Sequence, residues 1–226
     1  FNGAQFEAQM KKLQRKVVKQ SLLEFFSTVS NKSALSYKVS AHLLLHEQTN
    51  EELNRLAQNE AYLESAGFES SSYQSIAAIF LVDEANAKRA KILHKEMKKQ
   101  HHFLTGKDDI PYAVLLTREP VNAQLQAQTM RCYYDELVAQ NFKRGDALQA
   151  MSQLLTLYNA DFEPIVIDYV SAICTYLKRE NIKIRRKFYP FIAMLALAQA
   201  NEEVLNDIIQ MNKELMALRM FSVEPS

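Results

Sequence analysis

The sequence predicts an all-α protein in which about five antiparallel helix hairpins stack in an α-solenoid-like array, with a closing C-terminal helix. Apolar residues recur at helical spacing, as at Leu53, Leu56, Ala57 and Leu63, and no run shows strand alternation. The 226 residues include only four glycines and five prolines, too few for the frequent turns of an all-β protein. A longer pattern that recurs along the chain indicates the hairpins.

In this pattern an amphipathic helix is followed by one apolar residue, a short polar loop and a compact apolar helix. The apolar residues that mark it are spaced by 39, 35, 39 and 40 residues: Val29, Phe68, Phe103, Phe142 and Ile182. A single hairpin cannot bury its apolar face alone, so neighbouring hairpins must stack. A compact helical bundle is the alternative fold that the same pattern allows.

The parts of each hairpin follow in order. The polar loops are SNKSA, ESSS, LTGKDD, KRGD and KIRRK, and the compact helices begin at Leu35, Tyr73, Tyr112, Leu148 and Phe188. Gly67, Gly106 and Gly145 lie in or beside these loops, where a left-handed residue is expected to end a helix. A last helix over residues 202–221 is predicted to cover the final hairpin.

Composition indicates one globular domain over residues 1–226, with 48% apolar and 23% charged residues. The longest apolar run, FIAMLALA, is far shorter than the roughly 20 residues of a membrane span. Cys132 and Cys174 are expected to be buried free thiols, which indicates the cytoplasm. Because the sequence begins at Phe1 and not at methionine, we expect an N-terminal segment to be missing.

One corner concentrates residues that could carry chemistry, namely His94, His101, His102, Thr105, Asp108 and Asp109. Histidines and carboxylates at a helix corner could bind a divalent metal or a small ligand, or act as an acid/base pair. Capping is the favoured interpretation: acids before a helix satisfy its free N–H groups, and histidines suit the end of the preceding helix. No cofactor is predicted.

Basic residues form two clusters, which are Lys88, Arg89, Lys91, Lys95, Lys98 and Lys99, and then Lys178, Arg179, Lys183, Arg185, Arg186 and Lys187. They could contact a phosphate backbone. With a net charge of +1, solvated helix faces are the favoured interpretation and nucleic acid is not an expected partner.

The favoured function is a non-enzymatic module that binds a protein or peptide. No G-x-S-x-G elbow, phosphate loop or Cys–His nucleophile motif occurs. Aromatic residues near the hairpin tips are suited to partner contacts, although packing between hairpins would explain them equally well: Tyr73, Tyr112, Phe142, Phe188 and Tyr189. The alternatives are a metal-binding or small-ligand-binding protein, or an enzyme, that uses the corner from His101 to Asp109, and a nucleic-acid-binding protein.

Four stretches carry a resemblance: GFESSSYQSIAA, HKEMKKQHHFLTGKDDIPYAVLL, NFKRGDALQAMSQLLTL and ENIKIRRKFYPFIAMLAL. They resemble the bacterial family called domain of unknown function 4003, found mainly in low-GC Gram-positive bacteria. The resemblance implies a bacterial, cytoplasmic protein and a longer N-terminus, but no activity. The chain has Gln153 where the family pattern usually has histidine.

Overall fold

The computed structural model describes residues 49–101 and 104–217, and the structural statements below concern these residues. They form nine α-helices and two 3-10 turns, without any strand. The all-α prediction is therefore confirmed. The helices are α1 (Thr49–Ser65), α2 (Ser72–Phe80), α3 (Glu84–Gln100), α4 (Ile110–Leu116), α5 (Ala123–Ala139), α6 (Asp146–Leu155), α7 (Pro164–Arg179), α8 (Tyr189–Leu197) and α9 (Glu202–Ala217). The 3-10 turns Lys107–Asp109 and Arg186–Phe188 directly precede α4 and α8.

The chain divides into two compact units, one ending at Arg131 and the other beginning at Cys132. The single domain over residues 1–226 and the α-solenoid-like array stay predictions. No described helix is long and apolar enough to cross a membrane. The first marker residue, Val29, and the third, Phe103, lie outside the described residues.

In the first unit, α2 packs on α4, and α1 contacts both α2 and α3. Fully buried alanines allow the helices to approach closely: Ala77, Ala78, Ala87, Ala90 and Ala113. Asparagines of the longer helices bind carbonyl groups at the ends of the shorter ones. The Asn59 amide donates to Ala78 O at 2.8 Å, and that of Asn86 donates to Val114 O at 3.1 Å. Such bonds supply donors to carbonyls in the last turn of a helix, and Val114 O also accepts from Thr117 N–H.

In the second unit, α8 packs on α6 and α7, around a core that includes Leu148, Met151, Leu155, Val170 and Ile192. Here tyrosine hydroxyls, and not asparagine amides, bind the backbone, and the groups that they bind are N–H groups of a loop. The Tyr134 hydroxyl accepts from Gly145 N–H and the Tyr189 hydroxyl from Lys143 N–H, both at 3.2 Å. Different side chains thus bind backbone groups between helices in the two units.

The marker residues have a defined backbone role where they are described. Phe68, Phe142 and Ile182 each donate a backbone N–H to a carbonyl five residues earlier, just after a residue with positive φ. This pattern is the Schellman motif, which places an apolar residue against the last turn of the helix. At these three helix ends, the recurring apolar residue is therefore the one that completes the Schellman motif.

The expectation for the glycines was correct only at Gly67, where φ is +88°. Asn141 and Asn181, at φ +68° and +59°, provide the left-handed residue at the equivalent helix ends. Asparagine tolerates this conformation better than most residues. Gly106 has a negative φ, and Gly145, at φ +130°, precedes α6 and does not end α5.

The two cysteines differ in exposure. Cys174 is buried, and burial raises the pKa of its thiol to about 11. Cys132 is exposed, so the expectation that both thiols are buried was wrong for this residue. Its neighbours Tyr133 and Tyr134 occupy the buried face of α5 instead.

Candidate functional site

The first candidate site is the corner between α3 and α4, where the sequence concentrates histidines and acids. Gly106 lies at its centre, and side chains bind its backbone from two directions. Its N–H donates to Asp109 Oδ2 at 2.8 Å, while its carbonyl oxygen lies 2.8 Å from His94 Nε2. A Cβ at this position would lie 2.8 Å from Asp108 Oδ1, so glycine leaves room for that carboxylate.

The Asp109 carboxylate caps the corner differently from the prediction. We expected an acid to bind N–H groups of the following helix, but Asp109 makes no side-chain capping bond to α4. Its bond goes back to Gly106, at the start of the 3-10 turn. Asp109 is only 4% exposed, so this bond satisfies a carboxylate oxygen within the protein.

Contacts with the α1–α2 loop hold the same corner. The His94 ring meets Phe68 edge-on, with ring centroids 5.7 Å apart. Lys91 donates to Gly67 O and lies 4.6 Å above the Phe68 ring. Lys107 forms an ion pair with Glu69 at 2.9 Å, which lowers the pKa of the Glu69 carboxyl. Side chains of α3 and of the corner thus contact the loop between α1 and α2.

The other residues predicted for this corner are placed as follows. His101 ends α3, and its carbonyl accepts from the N–H groups of Leu104 and Thr105. Thr105 is buried. Burial raises the pKa of the Tyr112 phenol, and the charges of Asp109 and Asp108 raise it further. His102 lies outside the described residues. Among those described, histidines, cysteines and acids nowhere form a group of three that could hold a metal.

The predicted interaction aromatics have different surroundings. Tyr189 is buried, and Phe142 packs against its ring edge with centroids 5.0 Å apart. Tyr112 is partly buried in the first corner. Tyr73 on α2 and Phe188 are the two that are exposed. Only these two present much of their side chains to solvent.

A second candidate site lies in the second unit and was not predicted as a pocket. It is an open cavity of about 300 Å³ between α7, α8, α9 and the loop before α8, which we call the α7–α9 groove. All its lining residues are apolar: Leu177, Ile182, Ile184, Phe188, Phe191, Ile192, Leu195, Leu205, Ile208, Ile209 and Met211. One hint was in the sequence, because the run FYPFIAML is apolar on every face of its helix.

One edge of the α7–α9 groove is basic. The loop residues Ile182 and Ile184 line the groove, while the residues between and after them are exposed and basic: Lys183, Arg185, Arg186 and Lys187. We call these four residues the basic lip. None of them forms a salt bridge within the described part of the chain. Arg179, by contrast, pairs with Glu202 at 3.1 Å.

Comparison with known proteins identifies relatives but no activity. The family model described as "Protein of unknown function (DUF4003)" matches residues 1–225. The "Uncharacterized protein YeaA" of Bacillus subtilis (strain 168) is 28% identical over 107 residues, which cover 47% of this chain and 32% of that protein. The matched segment is therefore less than half the length of this relative. No solved structure matches the chain significantly.

Proposed function

The chain belongs to the family of proteins of unknown function DUF4003, and we propose that it is a non-enzymatic module that binds a protein or peptide in the α7–α9 groove. The observation that carries the proposal is the groove itself, about 300 Å³ lined only by apolar side chains. Its volume lies at the lower end of the range for ligand pockets. Its lack of polar lining favours an apolar segment over a polar small molecule.

The exposure of aromatic and long aliphatic side chains supports binding. Phe188 is 37% exposed and Phe191 46% exposed, and both line the groove. Leaving such surface in water costs about 25 cal/mol for each Å² that a partner could cover. Contiguous exposed apolar surface of this kind marks interaction sites more often than scattered single residues do.

The contacts of the α3–α4 corner favour a structural role there over catalysis. A general acid/base pair needs side chains that converge on a substrate atom. His94 and Asp109 instead bind the carbonyl oxygen and the N–H of one residue, Gly106. Both described cysteines are free thiols, which fits binding in a reducing cytoplasm.

Two substitutions on the same helix test the proposal. Phe191→Asp places a charge in the groove, whereas Met194→Asp places one on the same helix at a residue that is 57% exposed and does not line it. Proteins captured from a lysate of the source organism would be purified, and their affinity measured by calorimetry. We expect Phe191→Asp to weaken binding at least about tenfold, because a buried unpaired charge is costly.

Met194→Asp should bind like the wild type, since its side chain is outside the groove. A purified partner that binds both variants equally would contradict the proposal. The absence of any directly binding protein, together with a small molecule or metal that copurifies in stoichiometric amount, would favour the alternative of a ligand-binding protein.

A further inference from the structure

We infer that the partner of the α7–α9 groove is an acidic amphipathic helix, whose apolar face fills the groove and whose carboxylates pair with the basic lip. This inference rests on the proposed function and adds the chemical class of the partner. It follows from the charges around the groove, their arrangement along the loop, and the kind of surface that lines it.

The basic lip carries charge that the described residues do not neutralise. Lys183, Arg185, Arg186 and Lys187 are all exposed and lack salt bridges there, as do Lys143, Arg144 and Lys178, whereas Arg179 pairs with Glu202. Lys187 lies 5.7 Å from the Phe188 ring centroid, directly beside a lining residue. Uncompensated charges along one side of an apolar site attract the opposite charge and repel their own.

The loop sequence explains why these charges border the groove. From residue 182 to residue 185, partly buried isoleucines alternate with exposed basic residues. Arg185 has extended backbone, with φ −100° and ψ 156°, and successive side chains of extended backbone point to opposite sides. Ile182 and Ile184 therefore enter the groove while Lys183 and Arg185 remain at its edge.

The acidic residues of α9 do not cancel this charge at the groove. Leu205, Ile208 and Ile209 line it. At 100° per residue, Glu203, Asp207 and Glu214 fall on the opposite face of the same helix. Glu202 falls on the groove side, but its carboxylate pairs with Arg179. The groove thus has a basic lip on one side and no carboxylate among its lining residues.

A helical partner fits the lining better than the other classes with negative charge. Three helices form the walls, and an amphipathic helix inserts its apolar face between such walls by presenting residues at i, i+3, i+4 and i+7. The lining is mostly Leu, Ile and Met, with Phe188 and Phe191 the only aromatic residues. Single-stranded nucleic acid, in contrast, binds by stacking its bases on a series of aromatic rings.

A display library of amphipathic helices of roughly 16 residues would test the inference. Its apolar positions would vary among apolar residues and its polar positions among all polar residues, and selection would use the full chain. The selected peptides would be counterselected on Phe191→Asp. We expect Asp and Glu to exceed Lys and Arg at the polar positions of peptides that require Phe191. The best peptides should bind about tenfold tighter than versions with each acid changed to the amide.

Two double variants of equal charge form the matched control. Lys183→Glu/Lys187→Glu reverses two charges of the basic lip, and Lys95→Glu/Lys98→Glu reverses two exposed lysines of α3. Only the first should remove the tenfold preference for acidic peptides. Salt should weaken the acidic peptide but not its amide version, because exposed charges are screened as the Debye length shortens to about 3 Å at 1 M.

The outcomes separate this inference from the proposed function. Peptides that require Phe191 but show no acidic bias would overturn the acidic partner and leave the groove as a binding site. If no selected peptide required Phe191, both proposals would be contradicted. Displacement of the selected peptide by an oligothymidylate or by dodecanoate, with affinity equal to or above that of the peptide, would assign the groove to nucleic acid or to acyl chains and overturn the inference.

Discussion

The corners before α4 and before α8 share one backbone but have opposite side-chain chemistry. In each, an extended residue is followed by a three-residue 3-10 turn, and the next helix has proline as its second residue. The third residue of the turn has nearly the same conformation in both, φ −85° and ψ −9° at Asp109 and φ −91° and ψ −8° at Phe188. The two corners are 79 residues apart along the chain.

At equivalent positions the first corner is polar where the second is apolar. Asp109 corresponds to Phe188, Tyr112 to Phe191, and His94 to Ile173. In the first corner His94 and Asp109 bind the carbonyl oxygen and the N–H of Gly106, so these two side chains have partners within the protein. In the second corner Phe188 and Phe191 line the α7–α9 groove, and Ile173 is buried. The same backbone thus forms a corner with buried polar contacts in one unit and a corner beside an open apolar groove in the other, because a few side chains differ.

The largest expected effect comes from the third residue of each 3-10 turn. Asp109→Ala leaves the Gly106 N–H without its acceptor and should lower the free energy of unfolding by about 1–2 kcal/mol. Phe188→Ala should cost about 1 kcal/mol, since Phe188 is 37% exposed, and should in addition reduce peptide binding, which Asp109→Ala should leave unchanged. Urea unfolding and peptide affinity, measured on both variants, would show which variant loses stability and which loses peptide binding.

Two further variants sharpen this prediction. Asp109→Asn keeps an oxygen that can accept from Gly106 N–H and should lose less stability than Asp109→Ala. Phe188→Asp puts a carboxylate at the equivalent position of the second corner, so peptide binding should fall further than in Phe188→Ala. An equal loss of peptide binding from Asp109→Ala and Phe188→Ala would show that the two corners do not differ in the way described.

His94 should have the next largest effect. His94→Ala removes both the bond to Gly106 O and the edge contact with Phe68, and we expect a loss of about 1–2 kcal/mol in the free energy of unfolding. His94→Phe keeps a ring against Phe68 but leaves the carbonyl without the imidazole, so its loss should be about half as large. Urea unfolding of the two variants separates the contributions. Stoichiometric zinc that disappears in His94→Ala would instead support the metal-site alternative.

Much of the fold follows from the sequence because its pattern is local. The marker residues Phe68, Phe142 and Ile182 recur because each closes a Schellman motif, in which the residue before them is left-handed. We assigned that conformation to glycine and missed Asn141 and Asn181, although asparagine precedes the marker residue in both cases. The local pattern was informative, but we did not consider asparagine as the left-handed residue.

The sites were harder to predict because they depend on which helices become neighbours. An apolar run such as FYPFIAML does not say which of its faces stays exposed, and only the packing of α8 on α6 and α7 leaves Phe191 and Met194 in solvent. Asp108 or Asp109 was expected to bind N–H groups of the following helix, and the bond of Asp109 goes to Gly106 instead. A 3-10 turn brings Gly106 within reach of the carboxylate, and no residue pattern indicated that turn.

The smallest expected effect is a pH dependence that arises at Tyr112 in the first corner. Burial and the nearby carboxylates raise the pKa of Tyr112 above its ordinary value of 10.0. At pH values between 10.0 and the raised pKa, the Tyr112 phenol keeps its proton in the folded protein but has lost it in the unfolded chain. Folding stability should therefore fall as the pH rises through this window, and Tyr112→Phe should remove that part of the loss.

The matched change Phe191→Tyr adds a phenol to the second corner, where no carboxylate lines the groove, and should make stability less dependent on pH than Tyr112 does. Urea midpoints from about pH 8 to about pH 11 would compare the three proteins. A Tyr112→Phe curve that runs parallel to the wild type would mean that neither burial nor the Asp109 and Asp108 charges raise the pKa of this phenol.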